Sequence, residues 1–578
     1  MLSQANLTYQ GSKRKLVLAF DVGTTFSGIS YSILDPGRTP EIKNVTRFPS
    51  QKGTQNTSKV PTVVYYDPQG NATAIGAETT REGIELDAKE GEWFEAKWFK
   101  LHLRSATTSA LSSYDCPPLP PNKTVVEVIA DFLRYLFDCA SQYIKESHLD
   151  GQNVWKSIEK DIDFVLSHPN GWAGKEQQAM RRASVLGGLI PDNQSGQDRI
   201  SFVTEGEASL HFAFYAGILS GVKEGEGIVV VDAGGGTIDV SSYRQDPEKK
   251  QTAFEEIATS QTRFHGSVFV NVNAKNFLLR FMKDSPFFDD VEHMTRCFDQ
   301  TTKLRFNNDK NSYYIKFGSV RDSDPDHNVQ LGQLKLEGVD IASFFQDSET
   351  AVIQTVLEQR SSSLNRIKHV VFVGGFSASD WLFEKSSSLL KRTHPDLKIL
   401  RPEEKSHKAV SDGAVSFYLH HLVRSRFSKL TYGSICCTPF KSKDSEHIQR
   451  ESTKRFCLSG EEMIPDRFVV ILPKSTRVSE EKEFRAPFRR TSENLSDFRK
   501  FSAPIFCYRG GLENPKWKDQ DPANFTQVCS VEADLSHLHL QPKKSPTGKV
   551  YYQVKFEVIL LFGLTELKAQ ISWKEKVR

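Results

Sequence analysis

Two stretches decide the fold: LVLAFDVGTTFSGISYSIL (Leu16–Leu34) and IVVVDAGGGTIDVSSY (Ile228–Tyr243). Each is an apolar run that ends in an aspartate, turns through glycine and threonine, and resumes as a second apolar run. That pattern predicts strand, tight turn, strand. Asp21 and Asp232 close the first strands 211 positions apart, and the copies reach matching tyrosines, Tyr31 and Tyr243. A repeat of that length predicts two related lobes, and the same turn in each predicts a ligand held between them.

The turns suggest what the ligand is. An apolar strand, an aspartate and a Gly/Thr turn leave backbone N–H groups facing a concavity, and small residues let phosphate oxygens approach them. Gly23, Thr24 and Thr25 form one such turn, Gly234, Gly235, Gly236 and Thr237 the other. Asp21 and Asp232 stand at the base, where carboxylates hold the waters of a magnesium ion that bridges phosphates. A glycine turn met once is more often a plain hairpin; two copies at a lobe-sized spacing carry the phosphate reading. HVVFVGGFS (His369–Ser377) adds a buried parallel-type strand ending in Gly374 and Gly375, where backbone can lie against a flat ring or simply bend for strand–helix packing. GWAGKE (Gly171–Glu176) lacks the GxxxxGK[ST] spacing, and DAGGGTID does not fit GxGxxG.

Working outward, 578 residues predict two to four globular units at roughly 150 residues each. A net charge of +3 is far from the clustered basic excess that nucleic acid binding needs, so nucleic acid is not expected as a partner. The early apolar run, Leu16–Phe20, is too short for a signal segment, and no later run approaches the ~20 residues of a membrane span. Eight cysteines without a CxxC pair suit a reducing compartment, cytoplasmic or nuclear. His420 and His421 read as a solvated pair at a helix end.

Between the repeats, Val125–Ser147 carries apolar residues at helical intervals behind a capping-box pair, Thr124 and Glu127. DFVLSHP is a buried strand, and GKEQQAMRRASVLGGL a second helix ending at Gly187 and Gly188. Strands alternating with helices predict α/β layers. The Ser/Thr-rich stretches 51–58 and 105–122 read as exposed loops. After Leu422, charged loops (441–455, 485–500, 513–522) alternate with short β runs. Period two over Tyr552–Leu560 and Leu567–Trp573 predicts a terminal antiparallel pair with one buried face. The expected organisation is a flexible tail at 1–15, lobes at 16–220 and 221–422, and a β-rich domain at 430–578.

Five motifs in order, DVGTTFSG, VTEGEAS (Val203–Ser209), DAGGGTIDV, VVFVGGFS and KAVSDGAV (Lys408–Val415), resemble the ATP-site motifs of the actin, hexokinase and seventy-kilodalton heat-shock superfamily. The spellings TTFSG and GGGTIDVS are closest to the heat-shock chaperones. KWFK (Lys97–Lys100), HPNGW, LTYGS (Leu430–Ser434) and the final hairpin are similar to the divergent, lidless branch typified by member twelve of that family and abundant in filamentous fungi.

The resemblance implies a two-lobed α/β fold of actin-like, ribonuclease-H-like cores with a C-terminal β-rich domain, binding ATP or ADP with Mg²⁺. Asp21 and Asp232 would hold hydrated Mg²⁺. Gly23, Thr24, Thr25 and Gly234 to Thr237 would cradle the phosphates, and Gly374, Gly375 and Phe376 would meet the adenosine. Lys97 matches the lysine near the γ-phosphate, with Lys100 its competitor, and Glu205 or Asp239 would orient the attacking water. Thr204-Glu205-Gly206 replaces the family's Asn-Glu-Pro, and Phe376 and Ala378 replace its small and basic residues after the adenosine-site glycines. Neither the acidic linker nor the helical lid has a counterpart, so peptide clamping by the usual mechanism has no support. Three readings follow: a slowly hydrolysing chaperone-type ATPase that meets unfolded or partner protein through its β-domain, a small-molecule kinase of the same superfamily, and a nucleotide-binding scaffold without turnover. No co-chaperone can be named from these residues.

Overall fold

The computed structural model describes residues 8–50, 58–103, 116–246, 253–363, 366–402, 408–479, 481–563 and 565–574. Most of the two Ser/Thr-rich loop stretches, 51–57 and 105–115, lies outside them. The chain divides into two compact units, residues 1–172 with 176–423, and residues 173–175 with 424–578.

In the first unit both sequence repeats are β-hairpins of one design. β1 (Lys15–Asp21) pairs antiparallel with β2 (Phe26–Leu34), Asp21 opposite Gly28. After α1 (Val125–Ser147), β1 gains parallel neighbours: β3 (Ile162–His168) beside it and β4 (Ile200–Thr204) beyond. The capping box of α1 is formed, Glu127 N–H donating to Thr124 Oγ1 and the Glu127 carboxylate accepting from the Thr124 N–H. α2 (Glu205–Tyr215) leaves β4 directly.

The second copy repeats the order. β5 (Gly227–Ala233) pairs antiparallel with β6 (Ile238–Gln245), Asp232 opposite Asp239, and β7 (Phe254–Arg263) extends β6 on its outer side. After α3 (Ser267–Phe281), β8 (Ile367–Val373) lies parallel beside β5 and β9 (Lys398–Leu400) beside β8. Because β1, β5 and β8 are covered on both faces they read as continuous apolar runs rather than alternating ones. One apolar core is built from Leu16–Phe202 alone and another from Val229–Leu397 alone. α2 meets α4 (Ala409–His420) so closely that a Cβ on Gly413 would lie 1.8 Å from the Ala208 carbonyl oxygen; only glycine fits that crossing.

Residues 8–14, expected within a flexible tail, are tied down. Tyr9 makes backbone bonds of 2.8 and 2.9 Å with Arg38 and Gly37, and Arg14 pairs with Asp35.

The second unit is β-rich and starts a few residues ahead of the expected boundary at 430. One sheet runs β11–β10–β13–β14, from β10 (Thr431–Pro439), β11 (Glu462–Leu472), β13 (Phe501–Tyr508) and β14 (Phe525–Ala533). Another runs β12–β15–β16, from β12 (Phe484–Ser492), β15 (Val550–Gly563) and β16 (Glu566–Trp573). The expected terminal antiparallel pair forms, with Leu560 opposite Ala569 and Val554, Phe556, Val558 and Leu560 buried. β12 corrects the expectation of a loop over 485–500. Phe484, Ala486 and Phe488 alternate there with Arg485, Pro487 and Arg489, and the arginines and proline hid the period of two. Among the described residues no helix is long and apolar enough to cross a membrane.

Candidate functional site

The two hairpin turns meet. A Cβ on Gly235 would lie 2.3 Å from Thr25 Oγ1, and one on Gly236 2.4 Å from Thr24 Oγ1, so each turn is the other's wall. The second turn is braced from behind by the start of α3: Ser267 N–H donates to the Gly234 carbonyl and Val268 N–H to that of Gly235, at 3.1 and 2.9 Å. With those carbonyls committed, the turn's remaining polar groups are N–H donors. Among the described residues the N–H groups of Gly23, Thr24, Thr25, Gly235 and Gly236 have no hydrogen-bond partner, the condition an anion-binding nest requires.

Four buried carboxylates gather at the base of the turns: Asp21, Glu205, Asp232 and Asp239. Asp21 ends β1 and is held by Lys59, whose Nζ donates to Oδ2 at 3.0 Å, and by the Ser167 hydroxyl at 3.1 Å from the end of β3. Asp232 ends β5 and takes one hydroxyl, Ser209 from α2, at 3.0 Å. Asp239, wholly buried, accepts from the Asn170 N–H at 2.5 Å and the Thr262 hydroxyl at 2.6 Å, both on Oδ1. Its Oδ2 has no hydrogen bond of ordinary geometry. Glu205, the first residue of α2, accepts from Lys100 Nζ at 2.7 Å.

Electrostatics follow from this crowding. Burial, then repulsion from Glu205, Asp239 and Asp21, pushes the Asp232 carboxyl well above the ordinary range, against the pull of Lys59. Burial pushes Glu205 up to about 7 although Lys100 opposes it. Asp239 is raised by burial and eased by Thr262, Thr237, the Asn170 N–H and Lys100. Lys59 loses solvation, but Asp21, then Asp232 and Glu205, more than compensate and raise its pKa.

Four carboxylates face two ammonium groups, so full ionisation leaves two negative charges without a partner. A divalent cation would balance that charge, and Asp239 Oδ2 could accept from one of its waters, so the donor set is chemically compatible with hydrated Mg²⁺. Among the described residues no three His, Cys, Asp or Glu side chains are arranged to ligate one ion directly, so contact through water is the arrangement these residues suit.

Two sequence-predicted residues stand elsewhere. Lys97 ends a strand, Phe94–Lys97, and pairs with Glu95 at 2.7 Å, its side chain about one-third exposed; Lys100 is the lysine beside the carboxylates. The strand ends at Lys97 and a 3₁₀ turn, Phe99–Leu103, carries the next lysine inward. Phe376 does not offer a face to a ligand. Its ring is buried in the second core and stacks on Phe345 at 6.0 Å. Gly374 and Gly375 remain at the site. At φ +87° Gly374 lies against Asp232, where a Cβ would fall 2.3 Å from Oδ1, while a Cβ on Gly375 would meet nothing within 4 Å.

Lys59, Ser167, Asn170, Ser209 and Thr262 were not read from the sequence. They reach the aspartates from 23 to 146 positions away, and no local pattern marks them. Two family-like segments gave hints: Ser209 closes VTEGEAS, and Asn170 in HPNGW serves Asp239, the Ser241 hydroxyl and the Gly206 N–H.

The facing Gly/Thr hairpin turns over buried aspartates present the N–H donors and acidic base that suit a phosphate-bearing ligand. Residues 222–359 match the family model described as "Domain of unknown function (DUF8340)". Human "Heat shock 70 kDa protein 12B" is 27% identical over 199 residues, covering 34% of this chain and 28% of that protein. "Chaperone protein dnaK" of Emiliania huxleyi is 26% identical over 380 residues, 62% of this chain and 54% of that one. Human "Heat shock 70 kDa protein 12A" is 23% identical over 502 residues, 72% and 71% of the two chains. The matched region thus spans only 28% and 54% of the first two relatives. These distant likenesses support an Hsp70-like, actin-like ATPase superfamily relationship.

Proposed function

We propose that the chain binds ATP with Mg²⁺ between its two hairpin turns and hydrolyses it slowly, as a chaperone-type protein akin to the member-twelve branch of the heat-shock family. The observation that carries this is the facing pair of turns, each with free N–H donors, above four buried carboxylates and two lysines. Bound Mg²⁺ would supply charge neutralisation for the phosphates, and Asp21 and Asp232 would hold it through water. Gly23, Thr24, Thr25 and Gly234 to Thr237 hold the phosphate chain in line. Lys100 compensates charge that gathers on the γ-phosphate oxygens as the bond to the leaving group lengthens. Glu205, raised to near neutrality, orients a water and accepts hydrogen bonds from it, and Asp239 fixes that water from the other hairpin. Gly374 and Gly375 give the adenosine a surface without side chains.

The β-rich unit is proposed to bind partner or unfolded protein, in a cytoplasmic or nuclear setting. A kinase would need a second substrate pocket, for which no committed constellation is found in the sequence. The test is single-turnover hydrolysis with and without unfolded polypeptide and a metabolite panel. ADP and phosphate formed at a rate raised by polypeptide support the proposal; transfer of phosphate to a metabolite, or tight ATP binding without turnover, overturns it.

A further inference from the structure

Lys100 is nearly fully enclosed, with its side chain only 5% exposed, and an enclosed ammonium group holds its direction only if its surroundings hold it. Its three N–H donors have one protein acceptor, Glu205 at 2.7 Å. A second side is covered by an aromatic face: Nζ lies 5.4 Å from the centroid of Trp172, itself buried. The indole plane is set in turn by His168, whose ring is stacked on it at 6.2 Å and 9°. His168 is tied by Nδ1 to the Pro169 carbonyl at 2.8 Å and by Nε2 to the Gln177 amide at 3.0 Å. The chain from Gln177 through His168 and Trp172 to Lys100 is buried throughout.

We propose that Trp172 is a positioning residue for the phosphoryl-transfer step. Its face and the Glu205 carboxylate occupy two of the three ammonium directions and aim the third at the γ-phosphate. This rests on the ATPase reading above. It adds that the segment HPNGW, which carries no titratable side chain beyond His168, governs the rate through an aromatic surface. An ammonium over an indole is attracted by the negative face of the ring, and desolvation strengthens the attraction.

The experiment is single-turnover ATP hydrolysis and ATP affinity for the full chain and for Trp172→Leu, Trp172→Phe and Lys100→Met. Leucine keeps apolar volume and removes the face; phenylalanine keeps a face. Trp172→Leu should slow the chemical step by about tenfold to thirtyfold while ATP affinity changes less than about threefold, and Trp172→Phe should restore most of the rate. In the Lys100→Met background Trp172→Leu should cost nothing further. Equal rates for Trp172→Leu and the parent, or the same loss for the leucine and phenylalanine variants, would overturn the positioning role while leaving the ATPase reading intact. A parent protein that binds ATP without hydrolysing it would overturn the ATPase reading. In that event the same double-mutant cycle run on urea unfolding still judges the contact, and additive losses would overturn it.

Discussion

Asp21 and Asp232 end equivalent strands of two hairpins with the same topology, yet only Asp21 is paired with a lysine. Lys59 and the Ser167 hydroxyl hold Asp21, whereas Asp232 has one hydroxyl, and burial, then three carboxylate neighbours, raises its pKa. The first hairpin is electrically complete in the protein alone; the second is not. The duplicated hairpins thus differ in charge balance: the aspartate of the first is paired with a lysine, and that of the second with a hydroxyl alone.

Breaking the charge balance at the chemical step has the largest expected effect. Lys100→Ala should reduce single-turnover hydrolysis by about 10²–10³, as loss of a transition-state charge partner does, while Lys97→Ala should stay within about threefold of the parent. A large loss in Lys97→Ala with Lys100→Ala unaffected would return the role to the surface lysine.

The pH dependence of stability sharpens the contrast next. Glu205 titrates near 7 in the folded protein and near 4.5 in the unfolded chain. Below about pH 4.5 both states hold the proton, and as pH rises toward 7 the unfolded chain releases it first. Stability without ligand should therefore fall over that window by up to ~3 kcal/mol, and Glu205→Gln should flatten the fall. Urea midpoints at pH 5 and 7.5 for both proteins measure it; parallel slopes would contradict the burial account.

The two aspartates themselves should respond oppositely. Asp21→Asn removes the nearest of the carboxylates that stabilise Lys59, and since a fifth of that lysine side chain still meets solvent, the cost should be about 2 kcal/mol. Asp232→Asn relieves repulsion and should leave the ligand-free protein equally or more stable. Equal destabilisation by both would erase the difference between the hairpins.

The smallest effect concerns Phe376. Packed against Phe345, it should act as core: Phe376→Leu should cost about 1–1.5 kcal/mol and leave the ATP to GTP preference unchanged. A change in base preference of tenfold or more would mean that the ring meets the nucleotide after all.

Much of the fold was legible because it is written in local patterns. The repeated strand, aspartate and glycine turn, the capping box at Thr124 and the period of two in the last hairpin each depend on neighbouring residues. The two glycine turns and their aspartates belonged to that local record. The groups that tune them did not. Lys59, Ser167, Ser209 and Thr262 come from other strands and helices, and nothing in a single sequence marks a serine that faces a carboxylate. Lys97 against Lys100 was decided by where a strand ends and a 3₁₀ turn begins, a boundary that three residues of spacing cannot reveal. Phe376 was misread because a residue after two glycines can face the ligand or the core, and the aromatic ring found better packing in the core.

If Mg²⁺ and nucleotide together complete the second hairpin, thermal unfolding should register it. At ligand near 100 times Kd the stabilisation is about 2.7 kcal/mol, a rise of several degrees. ATP with Mg²⁺ should give that rise, ATP with a chelator little, and Asp232→Asn none with both. An equal rise without Mg²⁺, or a full rise in Asp232→Asn, would contradict it.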